Sequence, residues 1–383
     1  MTGPIQKLVV AGHFVRAGRV GGAEQMLYNL TNGLSARDVD TTILCGSERD
    51  LSEDFLAEVR DMPTVRVRES GGTGTRFVAE QRACMTRDIA GDAVLFPNYY
   101  VPPYVPRRLG RIGVVMHDFQ YRHFPRYFSA KKRLWLRLSQ AASMRRADRV
   151  IAISKFVRDD AIRWFGDRIG DKITVVPNPL SWDRFATGLG QPRPLDRPYI
   201  LSVAAQYPHK NLATLVRAFD VIAKTNRDVQ LVLCGQSYAG LHGVGGEPGG
   251  VGPLIRELGL SDRIALTGFV GDAALARWYE HAEMFVFPSL FEGFGMPPVE
   301  ALGFGLPTLT TRTTAMPEAT MGIARMVEQP LDAREWADKM SAILRRRNCY
   351  RPTEADILKL KAFYKPSRIA GAYVAALGGQ TGE

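Results

Sequence analysis

Short apolar runs alternate with stretches of helical periodicity along almost the whole chain, and this alternation leaves few folds open. Residues 7–11, 41–45, 65–68, 93–96, 113–117 and 149–153 read as strands. After the first of them, Ala23, Leu27, Leu30 and Leu34 recur at helical spacing on one face. A proline-rich passage, from Val176-Pro177-Asn178-Pro179 to Gln191-Pro192-Arg193-Pro194, then interrupts the pattern. It resumes with a strand at 199–203 and a helix carrying Leu212, Leu215, Val216 and Phe219. Further strands are expected at 229–234, 264–267, 284–287 and 307–311. Such alternation calls for α/β architecture, a parallel sheet with helices on both faces, and here it occurs twice. The expected domains are 1–178 and 179–359, an ordinary size for each half of a 383-residue chain.

An apolar content of 45% and a charged content of 23% describe a globular chain rather than a disordered one. No apolar run approaches the roughly 18 residues of a membrane span. The start, Met1-Thr2-Gly3-Pro4-Ile5-Gln6-Lys7, runs into a strand without a signal-peptide layout. Cys45, Cys84, Cys234 and Cys349 form no C-x-x-C pair, so reduced thiols in a cytosolic protein are expected. The net charge of +11 is uneven: residues 107–149 hold 12 Lys and Arg against only Asp118 and Asp148. Such a local excess points to an anionic partner, nucleic acid or membrane.

The densest chemistry lies in Phe287-Pro288-Ser289-Leu290-Phe291-Glu292-Gly293-Phe294-Gly295-Met296-Pro297-Pro298-Val299-Glu300-Ala301. Pro297 and Pro298 suit a first helical turn, where their missing N–H groups would be unpaired anyway. Glu292 then lies on the loop leaving a strand, and Glu300 about one turn into a helix. The free amides of Gly293, Phe294, Gly295 and Met296 would point at the same space, as an anionic or hydroxyl-rich ligand requires. Carboxylates that accept from hydroxyls, beside amides that donate to oxygens, describe a sugar-nucleotide site. Ligands of open parallel sheets bind beyond the carboxyl ends of the strands, which places the site between the two domains.

This E-x7-E stretch resembles the signature of the retaining glycosyltransferases of family 4. Other segments similar to that family follow in order: Gly21-Gly22-Ala23-Glu24, Met116-His117-Asp118, Ala147-Asp148-Arg149-Val150-Ile151-Ala152-Ile153-Ser154, Val175-Val176-Pro177-Asn178, Pro208-His209-Lys210-Asn211 and Thr267-Gly268-Phe269-Val270. The resemblance implies a GT-B fold, two Rossmann-like domains facing a cleft, with a carboxyl-terminal helix at about 360–383 crossing back onto the first. It gives Glu300 the ribose hydroxyls and Glu292 the donor sugar, and places His117 beside the reacting centre, where Asp118 would orient or simply cap. Lys210 would neutralise the leaving diphosphate without metal. Gly21 and Gly22 would bring amides close to a phosphate. Phe269 and Val270 join the donor-binding positions. Relatives usually carry an arginine five residues before the lysine; this chain has Ala205, so His209 or another basic residue must compensate, or donor binding is weaker.

The implied activity is a retaining, metal-independent hexosyl transfer from a nucleotide sugar, GDP-mannose or a related donor, in polysaccharide assembly. No cofactor or metal ion is expected. The acceptor would be a glycan or a polyprenyl-linked sugar. The basic segment carries Lys131, Lys132, Arg133, Trp135 and Arg137 beside Leu134, Leu136, Leu138 and Met144. That pattern suits either the headgroup layer of an anionic membrane, at its cytoplasmic face, or a half-buried helix with a charged outer side. Asp38-Val39-Asp40 precedes a strand and reads as a solvated turn. Gly71-Gly72-Thr73-Gly74-Thr75 lacks the lysine of a phosphate loop. Residues 240–252 form a lid over the nucleotide or a plain surface loop. A GT-B-like isomerase or phosphorylase is the competing enzyme class, although no segment suggests a pyridoxal-phosphate lysine. Nucleic-acid binding ranks last, since no recognised motif accompanies the charge.

Overall fold

The computed structural model describes residues 4–15, 21–72, 75–236 and 250–379. The chain divides into two compact units. Unit 1 comprises Met1–Phe119, Ala130–Ser181 and Phe363–Glu383; unit 2 comprises Gln120–Ser129 and Trp182–Ala362. Residues 120–129 therefore depart from the sequence expectation, which keeps them in the first domain. His123 and Phe124 lie 4.9 Å and 5.8 Å from the Phe291 ring, and this aromatic packing holds the segment in unit 2.

Unit 1 contains a seven-stranded sheet: β1 (Lys7–Ala11), β2 (Asp40–Cys45), β3 (Val65–Glu69), β4 (Ala93–Phe96), β5 (Arg111–Met116), β6 (Arg149–Ala152) and β7 (Ile173–Val175). Their order is β3-β2-β1-β4-β5-β6-β7 and every pairing is parallel. Strands β4 and β5 read as near-continuous apolar runs because helices cover both faces, and Leu95, Val114 and Val115 are fully buried. Unit 2 repeats the plan with β8 (Tyr199–Val203), β9 (Gln230–Cys234), β10 (Ile264–Gly268), β11 (Met284–Phe287), β12 (Thr308–Thr311) and β13 (Arg325–Val327). Its order is β10-β9-β8-β11-β12-β13, again all parallel. The helix Leu212–Ala223 packs Leu215, Val216 and Phe219 onto Leu231, Met284 and Val286 on one face of that sheet. Phe185, Tyr279 and Phe287 fill the other face.

The strand order reverses between β1 and β4 in unit 1, and between β8 and β11 in unit 2. At such a switch point the loops leaving neighbouring strands run to opposite sides and open a crevice for ligand. In unit 2 the two loops concerned carry Lys210 and Glu292.

The helix Pro366–Gly378 is part of unit 1 and packs against Gly22–Ser35. Arg111 donates to the Leu377 carbonyl at 3.0 Å. The helices approach closely at Gly33, where an added Cβ would stand 2.2 Å from the Pro366 carbonyl oxygen. Backbone cannot step aside as a flexible side chain does. Gly33→Ala is therefore expected to destabilise the protein by about 1–3 kcal/mol, outweighing the ~1 kcal/mol that alanine gains in an open helix. Urea denaturation checks this. A midpoint unchanged or raised would mean that the two helices do not meet at Gly33.

Candidate functional site

The loop after β11 is fixed before any ligand arrives. The Leu290 amide and the Ser289 hydroxyl both donate to the His209 carbonyl, at 2.8 Å and 3.3 Å. The Thr311 hydroxyl at the end of β12 donates to the Ser289 carbonyl at 2.7 Å. Next along the chain, the Glu292 amide donates to the Thr314 hydroxyl at 3.1 Å. These bonds set Glu292 opposite Lys210, and Nζ to Oε1 is 2.5 Å. Both side chains are mostly shielded, at 17% and 13% exposure, and the ammonium also lies 5.4 Å from the Phe287 ring centre. The pair brings together a cation suited to phosphate and a carboxylate suited to hydroxyls.

Gly295 turns the chain into the helix Met296–Gly303 at φ +90°, and an added Cβ would come 2.1 Å from the Met316 methyl. Only glycine fits there. Pro297 and Pro298 occupy the first turn, as their missing donors allow. The Phe294 side chain is buried in the fold, so this residue offers a ligand its backbone alone. Gly293 and Met296 are half-buried beside it.

Glu300 is 3% exposed. Arg184 Nη2 donates to its Oε1 at 2.6 Å, and the Tyr279 hydroxyl donates to Oε2 at 3.0 Å. Arg184 Nη1 reaches Asp272 at 2.9 Å, and the guanidinium lies 4.2 Å from the Phe185 ring centre. Burial would lower the arginine pKa; the facing carboxylates of Glu300 and Asp272 outweigh it and leave it raised. Burial, then the Glu300 charge, pushes the Tyr279 phenol well above its ordinary value. Arg184 and Tyr279 did not emerge from the sequence reading. Arg184 lies inside the proline-rich passage that marks the domain boundary, but a cation between Trp182 and Phe185 is a readable sign of a buried acid partner.

His209 does not replace the cation missing at Ala205. Burial, and then the neighbouring Lys210 charge, push its pKa down to about 3, so the ring is neutral. It stacks on Tyr207, with centroids 5.6 Å apart. Beyond β10, Phe269 is 66% exposed and Val270 half-buried, directly before the helix Asp272–His281 that carries Tyr279. Most of the expected lid at 240–252 lies outside the described residues.

In unit 1, Gly21 caps the helix Gly22–Ser35. Its amide donates to Glu24 Oε2 at 3.1 Å, so the chain's own carboxylate occupies the position where the sequence reading places a phosphate. Burial raises the Glu24 pKa. Gly22 is exposed at the first helical position. His117 follows β5, and its Nε2 lies 2.6 Å from the Pro97 carbonyl. A carbonyl only accepts, so Nε2 carries the proton and Nδ1 offers a lone pair. Burial holds the His117 pKa below its ordinary value, with the Pro97 bond and the Asp118 charge acting in the opposite direction. Arg76, which stands where a phosphate loop would carry its lysine, donates to Glu80 at 2.9 Å and to the Asn98 carbonyl at 3.1 Å. It stands 5.5–5.7 Å from the rings of Phe14, Phe77 and Tyr99.

The basic helix spans Ala130–Arg146 and contains no acidic residue. Leu136 and Met144 face the core, as in the half-buried helix that was one of the two expectations for this segment. Leu134, Trp135 and Leu138 are exposed, with Lys131, Lys132 and Arg137 around them and Arg133 half-buried. Trp135 also packs inward, 4.9 Å from Phe77. Among the described residues no group of three or more metal-ligating side chains occurs, and no helix is long and apolar enough to cross a membrane.

Comparison with known proteins bears on both units. Residues 20–184 match the glycosyltransferase family 4 model, and residues 190–356 the model of glycosyl transferases group 1. The chain is 28% identical to O-antigen chain mannosyltransferase B of Escherichia coli, over 62% of this chain and 61% of that protein. It is 24% identical to O-antigen chain mannosyltransferase RfbU of Salmonella typhimurium, over 60% of each. The matches thus span less than two thirds of the length of these relatives. Among solved structures, sucrose-phosphate synthase from Thermosynechococcus elongatus superposes with a TM-score of 0.75 at 19% identity, covering 96% of this chain and 97% of that one. WaaG, a glycosyltransferase of lipopolysaccharide biosynthesis, gives 0.70 at 13%, covering 96% and 98%. At these identities the likeness establishes the fold alone, which is GT-B.

Three histidines, His13, His117 and His209, have pKa values held below the ordinary value, chiefly by burial. The unfolded chain accepts a proton that the folded protein refuses. Their contribution to stability is therefore intact above about pH 6.5 and lost as pH falls toward the folded values. His209→Gln should flatten the fall of the thermal midpoint between pH 7.5 and 5 relative to the wild type. Parallel curves for the two proteins would contradict a neutral His209.

Proposed function

The chain belongs to the group 1/family 4 glycosyltransferases, and we propose that it transfers a hexose, mannose or a close relative, from a nucleotide sugar to a growing cell-surface polysaccharide or its lipid-linked precursor. The observation that carries this reading is the Lys210–Glu292 pair at the switch point of unit 2, with Glu300 on the short helix that follows. O-antigen mannosyltransferases among the relatives support the choice of sugar and product class.

In this reading the diphosphate of the donor draws Lys210 away from Glu292. The freed carboxylate then accepts hydrogen bonds from sugar hydroxyls, and the ammonium balances charge on the departing diphosphate. The amides at the start of Met296–Gly303 add donors toward the same anion, and Glu300 takes the ribose diol. The bond from the anomeric carbon to the diphosphate oxygen breaks as the bond to the acceptor oxygen forms on the same face. The acceptor proton passes to the leaving phosphate oxygen, so no metal ion is required. His117 of unit 1, whose Nδ1 offers a lone pair, is suited to accept from a sugar hydroxyl.

The helix Ala130–Arg146 gives the enzyme a reversible hold on an anionic leaflet at the cytoplasmic face, through Lys131, Lys132 and Arg137 around Leu134 and Leu138. Each cation near such a surface contributes about 1 kcal/mol, screened over roughly 8–10 Å at physiological salt.

Lys210→Gln and Glu300→Gln should each weaken nucleoside diphosphate binding by roughly 10- to 150-fold, as expected for one charged hydrogen bond. Calorimetric titration measures this, and affinities unchanged in both variants would remove the site assignment. Mass spectrometry of products from a nucleotide-sugar panel in EDTA tests the transfer itself. Hexose added only when Mg²⁺ or Mn²⁺ is restored would overturn the metal-free mechanism. For the membrane hold, the wild type should pellet with anionic vesicles at low salt and the Lys131→Glu/Lys132→Glu variant should stay in solution. Equal pelleting with neutral lipid would refute it.

A further inference from the structure

We infer that Arg184 is the positioning residue for Glu300 and thereby sets the enzyme's preference for a ribose over a deoxyribose nucleotide. The inference rests on the proposed nucleotide-sugar reading of this site and adds to it a residue and a specificity.

The argument begins with what the Glu300 carboxylate has left to give. Each of its oxygens can accept from about two directions. Arg184 takes one on Oε1 and Tyr279 one on Oε2. The carboxylate plane is thereby fixed, and a lone-pair direction remains on each oxygen. Two acceptor oxygens on one rigid plane match two vicinal hydroxyls, as a ribose presents them. A carboxylate free to rotate would accept from one hydroxyl as readily as from two, and would discriminate little.

Arg184 also connects segments that the sequence separates widely. One guanidinium nitrogen holds Glu300 on the helix after β11. The other holds Asp272, the first residue of the helix that follows Thr267-Gly268-Phe269-Val270. That same helix supplies Tyr279, the second donor to Glu300. The Phe185 ring lies against the guanidinium, 4.2 Å away, and restricts its tilt. A planar fork can span two carboxylates at fixed geometry, whereas a lysine is a single point charge on a flexible stem. The spacing between the loop after β10 and the ribose carboxylate therefore depends on this one side chain.

A purely structural ion pair would hold the fold but leave sugar discrimination untouched, and this separates the two roles. The experiment titrates a nucleoside diphosphate and its 2′-deoxy and 3′-deoxy counterparts into the wild type, Arg184→Gln, Arg184→Lys and Glu300→Gln. The wild type should prefer the ribonucleotide by at least about 10-fold, the lower range for a charged hydrogen bond. Arg184→Gln should bring that preference close to unity by losing ribonucleotide affinity while keeping deoxynucleotide affinity, as should Glu300→Gln. Arg184→Lys should restore part of it. If Arg184→Gln does not fold, Tyr279→Phe, which removes only a hydroxyl, carries the test with a preference reduced severalfold. Equal loss for ribose and deoxyribose ligands, or a preference undiminished in these variants, overturns the inference. A wild type that binds nucleotides without ribose preference also overturns it, yet leaves the proposed function standing. A wild type that binds no nucleotide at all removes the proposed function and this inference with it.

Discussion

A carboxylate taken out of water keeps its charge only beside a cation and further hydrogen-bond donors. Unit 2 buries two such groups within nine residues of sequence. Glu292 meets Lys210 at 2.5 Å, and Glu300 meets Arg184 at 2.6 Å and Tyr279 at 3.0 Å. Each partner arrives from a different part of the chain: Lys210 from the loop after β8, Arg184 from the segment before β8, Tyr279 from the helix after β10. The site is thus a place where distant segments are tied together by charge, and its geometry follows from the requirement that neither acid be left alone. In the proposed reading, a diphosphate would compete for Lys210 and a diol for the remaining lone pairs of Glu300.

The sheet topology explains why these segments converge. Both units reverse strand order once, between β1 and β4 and between β8 and β11. In unit 2 the reversal separates the loops that hold Lys210 and Glu292, and the His209 carbonyl bridges them through Leu290 and Ser289. In unit 1 the corresponding edge carries Gly21 after β1, Pro97 after β4 and His117 after β5. There the helix start is filled by Glu24, so any anion approaching Gly21 has to displace a carboxylate the protein itself provides.

Much of the fold was legible because parallel strands buried on both faces are written as continuous apolar runs. Lys7–Ala11, Ala93–Phe96, Tyr199–Val203 and Met284–Phe287 stand where the pattern places them. The short edge strands Ile173–Val175 and Arg325–Val327 were missed, since three residues are too few to show a periodicity. Among the candidate site residues, Lys210, Glu292 and Glu300 were visible through local motifs. Arg184 and Tyr279 were not, because their meaning lies in a contact across 116 and 21 residues. Ala205 left a vacancy that sequence logic offered to His209, and only the burial of that ring shows it to be neutral. For the basic helix the sequence left two arrangements open, and its periodicity alone does not separate Leu136 and Met144, which are buried, from Leu134 and Leu138, which are exposed.

The account's central claim is that the Lys210–Glu292 pair opens to receive a nucleotide sugar. A crystal structure of the protein with a bound nucleoside diphosphate hexose tests it most directly. The account predicts diphosphate oxygens within about 3 Å of Lys210 Nζ, sugar hydroxyls on Glu292 and the ribose diol on Glu300. A ligand seated elsewhere, with the Lys210–Glu292 pair intact, would contradict it.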